Sequence, residues 1–472
     1  MAYDAVVVGS GPNGLAAAIE IARAGRSVLV LEAADTIGGG TRSAELTEPG
    51  FVHDVCSAIH PLLAASPFFS SLPLAELGVR LVHPPAPFAH PLGPDRAVVL
   101  YHSLAETAAD LGEDGLAYLK LMGPFVSAAR YLTGQFLGPL RWPRRPLSFT
   151  RFGLAAVRSC RSLLSGRFSG IEAPALLSGA SAHSMLPLGA PGSAGFGLFL
   201  AALGHSVGWP LVAGGSQRIA DALVAEFERL GGDIRVSVPV ASLGDIPASR
   251  AVVLDLTPRR IVDIAGDSLP KRYMHALGRY RYGPGIFKID WALSEPIPWE
   301  ASACGHAATV HIGGTMTEIE SSEKQVAEGR HPERPFVILA QQSLFDSSRA
   351  PEGNHTAWAY CHVPSGSDRD MTESIEDQIE RFAPGFRDVV IARHTRSAQE
   401  IETYNPNYVG GDINGGRQDL RQLFTRPVVR LDPYSTPNER IFICSASTPP
   451  GGGVHGMCGY FAARSVLRRR LS

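Results

Sequence analysis

The chain opens on blocks of apolar and helix-forming residues that are typical of a parallel sheet with packed helices. Residues 3–8 end in a β-branched run that suits a buried strand. Residues 15–24 are rich in helix formers, and Gly25 is placed to end the helix they predict. A second apolar run, residues 27–31, leads into Glu32. The pattern predicts a strand–helix–strand unit at the start of the chain.

The pattern changes further along. A helix with apolar positions between Ile219 and Leu230 is followed by predicted strands at residues 233–240 and 251–256. Residues 281–293 and 355–363 are rich in aromatic and β-branched residues, so they predict strands of a second sheet. The charged stretch 316–336 predicts a surface helix between them.

A glycine-rich turn joins the first predicted strand to its helix. Its residues are Gly9, Ser10, Gly11, Pro12, Asn13 and Gly14. In this context a GxGxxG turn is typical of dinucleotide binding. The first glycine permits the tight turn, the second lets the backbone approach a diphosphate, and the third lets helix and strand pack closely. The Glu32 carboxylate suits ribose hydroxyls and would repel a 2′-phosphate, which disfavours an NADP-type ligand.

A second glycine loop follows Glu32 and favours FAD over NAD. Gly39, Gly40, Thr41 and Arg42 give another close backbone approach and a cation for the same diphosphate. An ordinary surface loop is the alternative explanation of these residues.

These motifs resemble phytoene-desaturase-like FAD-dependent oxidoreductases of the flavin amine-oxidase superfamily. The similarity lies in GSGPNG at residues 9–14, LEAADTIGGG at residues 31–40, and Arg42. Residues 441–463 (IFICSASTPPGGGVHGMCGYFAA) are similar to the family's closing flavin segment, and residues 349–364 resemble one branch of it. The resemblance implies FAD as the cofactor. Beyond the two glycine loops and Glu32, it assigns to FAD the residues Ala33, Val240, Gly451, Gly452, Gly453, Val454, His455 and Gly456.

The chain departs from the family's pattern at two places. Residues 445–448 are Ser-Ala-Ser-Thr where the family usually has Gly-Ala-Gly-Thr, and residues 53–57 replace an Asp-x-Gly motif. Both departures concern the exact position of the flavin in its binding site.

The expected fold class is α/β, with a discontinuous Rossmann-type FAD-binding domain and an inserted α+β substrate domain. The predicted FAD-binding parts are residues 1–75, 205–262 and 425–472, and the predicted substrate-domain parts are residues 76–204 and 263–424.

Composition excludes some functions. The chain has 472 residues and a formal net charge of −2, which argues against a nucleic-acid partner held by bulk charge. Its six cysteines form no CxxC pair, so neither a redox dithiol nor a zinc ribbon is expected, and no metal site is predicted. Scattered cysteines and the absence of a leader-like start suggest a cytoplasmic protein.

Two segments of the middle are unusual. Residues 141–168 carry seven arginines, no acidic residue and interleaved apolar residues. They predict either a solvated basic face or a peripheral contact with an anionic membrane or a partner. Residues 173–217 contain no Asp, Glu, Lys or Arg, but their prolines and glycines argue against a transmembrane helix. A cavity wall for a hydrophobic substrate is the better interpretation.

The polar groups available for catalysis are few. His455, Asp412, His183 and His205 are the candidates, together with Asn414. The leading hypothesis is an FAD-dependent oxidoreductase that desaturates, saturates or isomerises a polyene, terpenoid or fatty substrate by hydride transfer at flavin N5. An oxygen-dependent amine or alcohol oxidase and a flavin-binding protein without turnover are the alternatives. The sequence leaves the electron acceptor and the oligomeric state open.

Overall fold

The computed structural model describes residues 3–472, which form two large β-sheets, two small two-stranded sheets and a layer of helices. The strands are β1 (Tyr3–Val8), β2 (Val28–Leu31), β3 (Ser43–Glu45), β4 (Val52–Asp54), β5 (Leu81–Val82), β6 (Ala86–Gly93), β7 (Arg96–Leu100), β8 (Leu211–Val212), β9 (Asp233–Arg235), β10 (Ser249–Leu254), β11 (Gly285–Leu293), β12 (Ala307–Ile312), β13 (Val337–Ala340), β14 (His355–Val363), β15 (Val390–Arg396) and β16 (Ile441–Ile443).

The helices are named in the same way. They are α1 (Pro12–Arg23), α2 (Pro61–Ala65), α3 (Leu104–Asp110), α4 (Gly115–Ser127), α5 (Ala129–Phe136), α6 (Pro146–Ala156), α7 (Cys160–Leu164), α8 (Glu172–Ala182), α9 (Ser193–Val207), α10 (Gln217–Arg229), α11 (Pro258–Ala265), α12 (Lys271–Gly278), α13 (Met316–Ala327), α14 (Thr372–Glu380), α15 (Ala398–Tyr404), α16 (Leu420–Leu423) and α17 (Met457–Arg469).

The first sheet is parallel and has the strand order β16-β10-β1-β2-β9. Its central strands β1 and β2 are apolar and almost wholly buried, as expected for strands covered on both faces. Helices α1, α10 and α17 pack on one face, and α11 and α12 pack on the other. This is the Rossmann-type arrangement that the sequence predicts, and the α/β fold class is confirmed.

The second sheet has seven strands in the order β15-β11-β14-β13-β12-β6-β7 and is antiparallel except where β12 pairs with β6. Strand alternation gives its faces different characters. One face is apolar, with Trp291, Leu339 and Cys361 in a core that includes residues of α14. The opposite face carries Lys288, Asp290, Trp358, Tyr360, His362, His311, His394 and Arg396. We call this second face the polar face of the sheet.

The strands of the first sheet come from residues 3–31, 233–254 and 441–443, and those of the second from residues 86–100 and 285–396. This distribution agrees with an interrupted cofactor domain, whose exact boundaries stay a prediction. The uncharged stretch 173–217 contains most of α8 and all of α9, which pack against each other. Among residues 3–472, no helix combines the length and apolar character needed to cross a bilayer.

Several element boundaries differ from the prediction. Helix α13 ends at Ala327 and not at residue 336, and strand β11 begins at Gly285 and not at residue 281. Strand β9 ends at Arg235 and not at Val240, because Ser237 turns the chain with a φ of 56°. Strand β10 ends at Leu254, which leaves Asp255 beyond its carboxyl end. The arginine-rich segment forms two helices, α6 and α7, because the chain breaks at residues 157–159 and Ser159 caps the second helix.

Candidate functional site

The glycine-rich turn lies at the carboxyl ends of β1 and β10. Gly9 has a φ of 103°, in the left-handed region that favours glycine. A Cβ on Gly14 would lie 2.1 Å from the Gly9 carbonyl oxygen, and a Cβ on Gly39 would lie 3.1 Å from the Gly11 Cα. The two glycine loops therefore pack directly on each other. Gly11 precedes α1 and provides no side-chain cap, at a helix start whose dipole favours anions.

Glu32 is buried at the end of β2 and already has protein partners. One carboxylate oxygen accepts hydrogen bonds from the Ser10 amide at 2.9 Å and the Ser10 hydroxyl at 2.6 Å. The other accepts from the Ala34 amide at 2.9 Å and lies 3.3 Å from Arg42 Nη2. These contacts fix the acid beside the turn, where the sequence predicts the ribose.

Arg42 is held by the loop that precedes it. Its Nη2 donates to the Thr36 carbonyl at 2.6 Å, and its guanidinium lies 5.7 Å from the Tyr404 ring centre. Gly40 packs against Tyr408, whose hydroxyl would lie 2.3 Å from a Cβ at position 40. The second glycine loop thus joins the Rossmann sheet to the region around α15, and Thr41 is buried within it.

Two polar atoms of the cradle are buried without a hydrogen-bond partner among the described residues. They are Asn13 Oδ1, in the first turn of α1, and Arg426 Nε, beside the closing segment. The Arg426 side chain is 1% exposed, and its guanidinium makes only long contacts, of 3.4 and 3.3 Å, to the carbonyls of Ala446 and Gly416. Buried polar groups are normally paired, so these orphans fit a cradle that is completed by a polar ligand. The glycine backbone, the acid and the two cations are therefore compatible with FAD.

Asp255 was missed by the sequence analysis. Its carboxylate accepts a hydrogen bond from the Gly14 amide at 2.9 Å and lies against Gly9 and Gly11. Burial and the nearby negative charge of Glu32 raise the pKa of Asp255 to about 7, although the bond from Gly14 opposes the rise. The prediction placed Asp255 inside a strand. An acid just after a buried strand of a Rossmann unit is the signal that could have found it.

The closing segment forms a second glycine turn before α17. A Cβ on Gly452 would lie 2.6 Å from the Asn414 carbonyl oxygen, and one on Gly453 would lie 2.4 Å from Leu62. Val454 packs against the core beneath α1. The two serines that depart from the family's pattern, Ser445 and Ser447, are joined by a 2.6 Å hydrogen bond between their hydroxyls.

His455 is fully buried and both its ring nitrogens bind backbone. Nδ1 accepts from the Met457 amide at 3.0 Å, and Nε2 donates to the Gly451 carbonyl at 3.1 Å. Burial lowers the pKa of His455 to about 4, so the ring is neutral. This geometry shapes the turn and the start of α17. A catalytic role for His455 stays a prediction, and it would require one of these bonds to break.

Asp412 has a similar structural position. Its carboxylate accepts from the amides of Gly283, Asn414 and Gly416 at 2.7, 2.8 and 2.9 Å. Burial raises its pKa, while the three bonds and Arg426 oppose the rise. Asp412 thereby fixes the loop that carries Asn414 against Gly452, and its own catalytic role is untested.

The fold places His183 next to the loop that carries Asn414. Asn414 Nδ2 lies 3.5 Å from the His183 carbonyl oxygen, and His183 Nε2 is 2.8 Å from His311 Nε2 on the polar face of the sheet. Trp209 packs edge-on against both imidazoles. Burial lowers the pKa of His183 to about 3 and that of His311 well below its ordinary value, so both rings are neutral. The closing glycine turn is therefore linked through Asn414 to a pair of neutral histidines.

His205 lies apart from this group. It is on α9, where Nε2 is 2.8 Å from the Tyr118 hydroxyl and Nδ1 is 3.4 Å from the His102 carbonyl oxygen. The structure does not bring it to Asn414 or His183, and its predicted catalytic role has no geometric support. Val240 is buried in the core beneath β1 and β2, and its contact with adenine stays a prediction.

The polar face also holds an ion pair that the sequence analysis did not single out. Lys288 Nζ donates to both oxygens of Asp290, and both side chains are buried. Burial would raise the pKa of Asp290, but the Lys288 ammonium, His394 and His53 together outweigh burial and lower the pKa. Nζ lies 5.4 Å from the centre of the Trp358 ring. The spacing i, i+2 within an otherwise apolar strand could have indicated that both residues share one face.

Residues 53–57 are tied to the centre of the molecule by Asp54. Its carboxylate accepts from the Ser216 amide at 2.7 Å and from Arg349 Nη1 at 3.0 Å. Arg349 is wholly buried and also pairs with Asp346 at 2.9 Å. The departure at residues 53–57 therefore retains a buried acid with a defined partner. Within residues 3–472 no three His, Cys, Asp or Glu side chains lie close enough to hold a metal ion.

Comparison with known proteins agrees with this geometry. Residues 7–71 match the family model described as an NAD(P)-binding Rossmann-like domain. The chain is 26% identical over 553 aligned residues to the rat (Rattus norvegicus) pyridine nucleotide-disulfide oxidoreductase domain-containing protein 2, covering 99% of this chain and 93% of that protein. It is 22% identical to the lycopene-forming phytoene desaturase of a Paracoccus species, with 100% and 98% covered. A solved triple mutant of putrescine oxidase has the same fold, with a TM-score of 0.63, 18% identity and 99% of each chain covered.

The predicted resemblance to phytoene-desaturase-like FAD-dependent oxidoreductases is thus confirmed by similarities that extend along the whole chain. The same similarities support FAD as the cofactor and oxidoreduction as the general activity. The reaction and the substrate are a separate question.

Proposed function

We propose that this FAD-dependent oxidoreductase desaturates, saturates or isomerises C–C bonds of an uncharged, hydrophobic substrate. The observation that carries the proposal is the series of contacts from Gly452 through Asn414 to His183 and His311. It connects the predicted flavin turn to the uncharged segment and to the polar face of the second sheet.

The residues that would hold FAD are those of the two glycine loops, with Glu32 at the ribose, Arg42 near the diphosphate, and the turn at residues 451–456 at the flavin ring. When bound, the flavin supplies hydride exchange at N5. The protein must then bind the substrate, orient its C–H bond and exclude water.

The uncharged segment suits the binding of such a substrate. Helices α8 and α9 present no Asp, Glu, Lys or Arg after Glu172, and α9 has glycines at positions 195, 197 and 204. Gly179 packs against the His311 ring, with its nearest ring nitrogen 2.9 Å from a Cβ at position 179. An apolar wall with few side-chain charges binds a polyene, terpenoid or fatty chain through burial of apolar surface and excludes water from it.

His183 and His311 are the groups that we assign to proton transfer. One proton lies between the two Nε2 atoms, so one ring donates it and the other ring accepts it. Because the accepting ring is neutral, its single proton is on Nδ1. His311 Nδ1 is buried without a partner. When His183 donates through Nε2, its Nδ1 is a free acceptor for a proton that leaves the substrate. His183, oriented by His311, thus holds the proton that accompanies hydride transfer.

The Lys288 ammonium argues against an amine substrate. It lies over Trp358 and is buried there with Asp290. Because this ring already has a cation against it, it is not available to a protonated amine, which disfavours the oxygen-dependent amine oxidase alternative.

Anaerobic flavin reduction tests the proposal. The purified flavoprotein is mixed with a neutral lipid extract in one cell and with primary amines or alcohols in another, and the flavin absorbance is followed. We expect bleaching by the lipid extract, and a slower rate for His183→Asn at unchanged flavin content. Bleaching by amines or alcohols alone would contradict the proposed substrate class. A flavin that no compound reduces, that the lipid extract does not reoxidise after dithionite reduction, and whose presence leaves the extract chemically unchanged would favour a protein without turnover.

A further inference from the structure

One surface of the helical layer exposes large apolar side chains among arginines. Trp142, Leu147 and Leu154 are 90%, 87% and 68% exposed, and Leu140 and Val157 are also exposed. Arg141, Arg144, Arg145 and Arg151 lie between them in the chain and are exposed as well. We call residues 140–157 the docking face.

The docking face rests on a rigid platform. On the inner side of α6, Phe149 stacks on Phe136 with ring centres 5.7 Å apart, and Phe152 packs edge-on against Phe125 at 5.3 Å. Positions 147, 151 and 154 follow helical spacing on the opposite side. Since the inner side is already filled by aromatic rings, Leu147 and Leu154 have no core position to occupy. Their exposure is therefore a property of the helix itself.

The charge of the docking face is positive and largely unpaired. Residues 141–171 contain no acidic residue. Of the seven arginines in this stretch, only Arg161 has an acidic partner in the described part of the chain, Glu320 at 3.0 Å. Several large exposed apolar side chains grouped among charged residues are typical of an interaction surface.

We propose that the docking face binds the surface of an anionic lipid bilayer. Leucines and an exposed tryptophan fit the boundary between headgroups and acyl chains, where amphipathic helices and tryptophan rings are favoured. The arginines fit lipid phosphates, each adding to the attraction of an anionic surface. Binding is therefore peripheral, with α6 lying in the plane of the bilayer surface.

The proposal goes beyond the redox function and has a structural consequence for it. Helix α6 packs on α9, and a Cβ on Gly195 of α9 would lie 3.1 Å from the Ala156 side chain of α6. Helix α9 belongs to the uncharged wall. A bilayer on the docking face would therefore lie one helix away from the wall that we assign to a hydrophobic substrate.

Vesicle co-sedimentation of the purified full-length holoprotein tests the docking face without any redox readout. The probes are phosphatidylcholine vesicles with and without phosphatidylglycerol. We expect binding to the anionic vesicles, weak binding to the neutral ones, and a loss on raising the salt concentration. The triple variant Trp142→Ser, Leu147→Ser, Leu154→Ser and the triple variant Arg144→Glu, Arg145→Glu, Arg151→Glu should each weaken binding by on the order of tenfold or more.

The matched control removes apolar side chains that are equally exposed elsewhere. Val429 and Leu431 are 77% and 108% exposed, and Val429→Ser with Leu431→Ser should leave vesicle binding unchanged. Circular dichroism and flavin content show whether each variant is folded. Absence of wild-type binding to anionic vesicles, or an equal loss in the control, would overturn the proposal. So would self-association that the serine triple variant abolishes without any vesicle binding, since the face would then join two copies of the chain.

Discussion

Replacement of Asp255 by asparagine isolates the electrostatics of the glycine turn. The carboxylate is buried between Gly9, Gly11 and Gly14, close to the negative charge of Glu32. Its pKa in the folded protein is about 7, against an ordinary 3.8. An acid whose pKa is raised by folding binds more protons in the native state than in the unfolded state. Stability from this group is therefore present at low pH and is lost as the pH rises from about 4 through 7.

The magnitude follows from the two pKa values. Each tenfold change in proton affinity is worth about 1.4 kcal/mol, so the full difference is limited to roughly 4 kcal/mol. Between pH 5 and pH 8 the wild-type protein should lose roughly 2–3 kcal/mol more of its unfolding free energy than Asp255→Asn. The asparagine keeps an oxygen that can accept the Gly14 amide, while its charge no longer changes with pH.

Urea denaturation of the apoprotein at pH 5, 6, 7 and 8 measures this difference. Asp35→Asn is the control, because Asp35 is an exposed acid on the loop after β2. Glu32→Gln should reduce the pH dependence of the wild-type Asp255, since one source of its raised pKa is removed. If Asp255→Asn and the wild type lose stability in parallel between pH 5 and pH 8, the account of the turn is wrong.

Three further perturbations test other parts of the structure. Gly14→Ala places a methyl group 2.1 Å from the Gly9 carbonyl oxygen. We expect this variant to lose its bound flavin and to be less stable by about 1–3 kcal/mol. Retained flavin content would contradict the close packing of the turn. Lys288→Met leaves Asp290 buried without its main partner and should lower the unfolding free energy measured by urea denaturation by about 3–5 kcal/mol. The double variant Lys288→Met with Asp290→Leu should recover much of this loss. Equal losses in the single and double variants would refute the pairing. His183→Asn should slow substrate-driven flavin reduction by about 10²-fold or more with unchanged flavin content, and an unchanged rate would exclude His183 from proton transfer.

The sequence was sufficient where a signal was local. Strand β1 and strand β14 have the bounds that their apolar runs indicate, because β-branched and aromatic residues at those positions are also buried by the fold. The glycine turn was recognised because a strand, a helix and Glu32 surround it at short spacing. Strand β9 was overestimated because its end depends on the Ser237 turn and on the Val238 amide, which bonds to the Glu32 carbonyl at 2.9 Å.

The candidate site required contacts between distant parts of the chain. His183 was a candidate from sequence, but its partner His311 lies on another strand, and only the fold brings their rings together. His455 and Asp412 were also candidates, yet the backbone bonds that occupy them depend on the shape of two loops. Lys288 and Asp290 were hidden in a run that predicts a strand, since the polarity of one sheet face is decided by what packs on it.

The flavin of the purified protein is the most direct test of the central claim. The absorption spectrum and the mass of the released cofactor establish whether FAD is bound, and anaerobic addition of a neutral lipid extract establishes whether a hydrophobic compound reduces it. We expect a yellow protein that releases FAD and is bleached by the extract. A colourless protein from which no flavin is released would contradict the account.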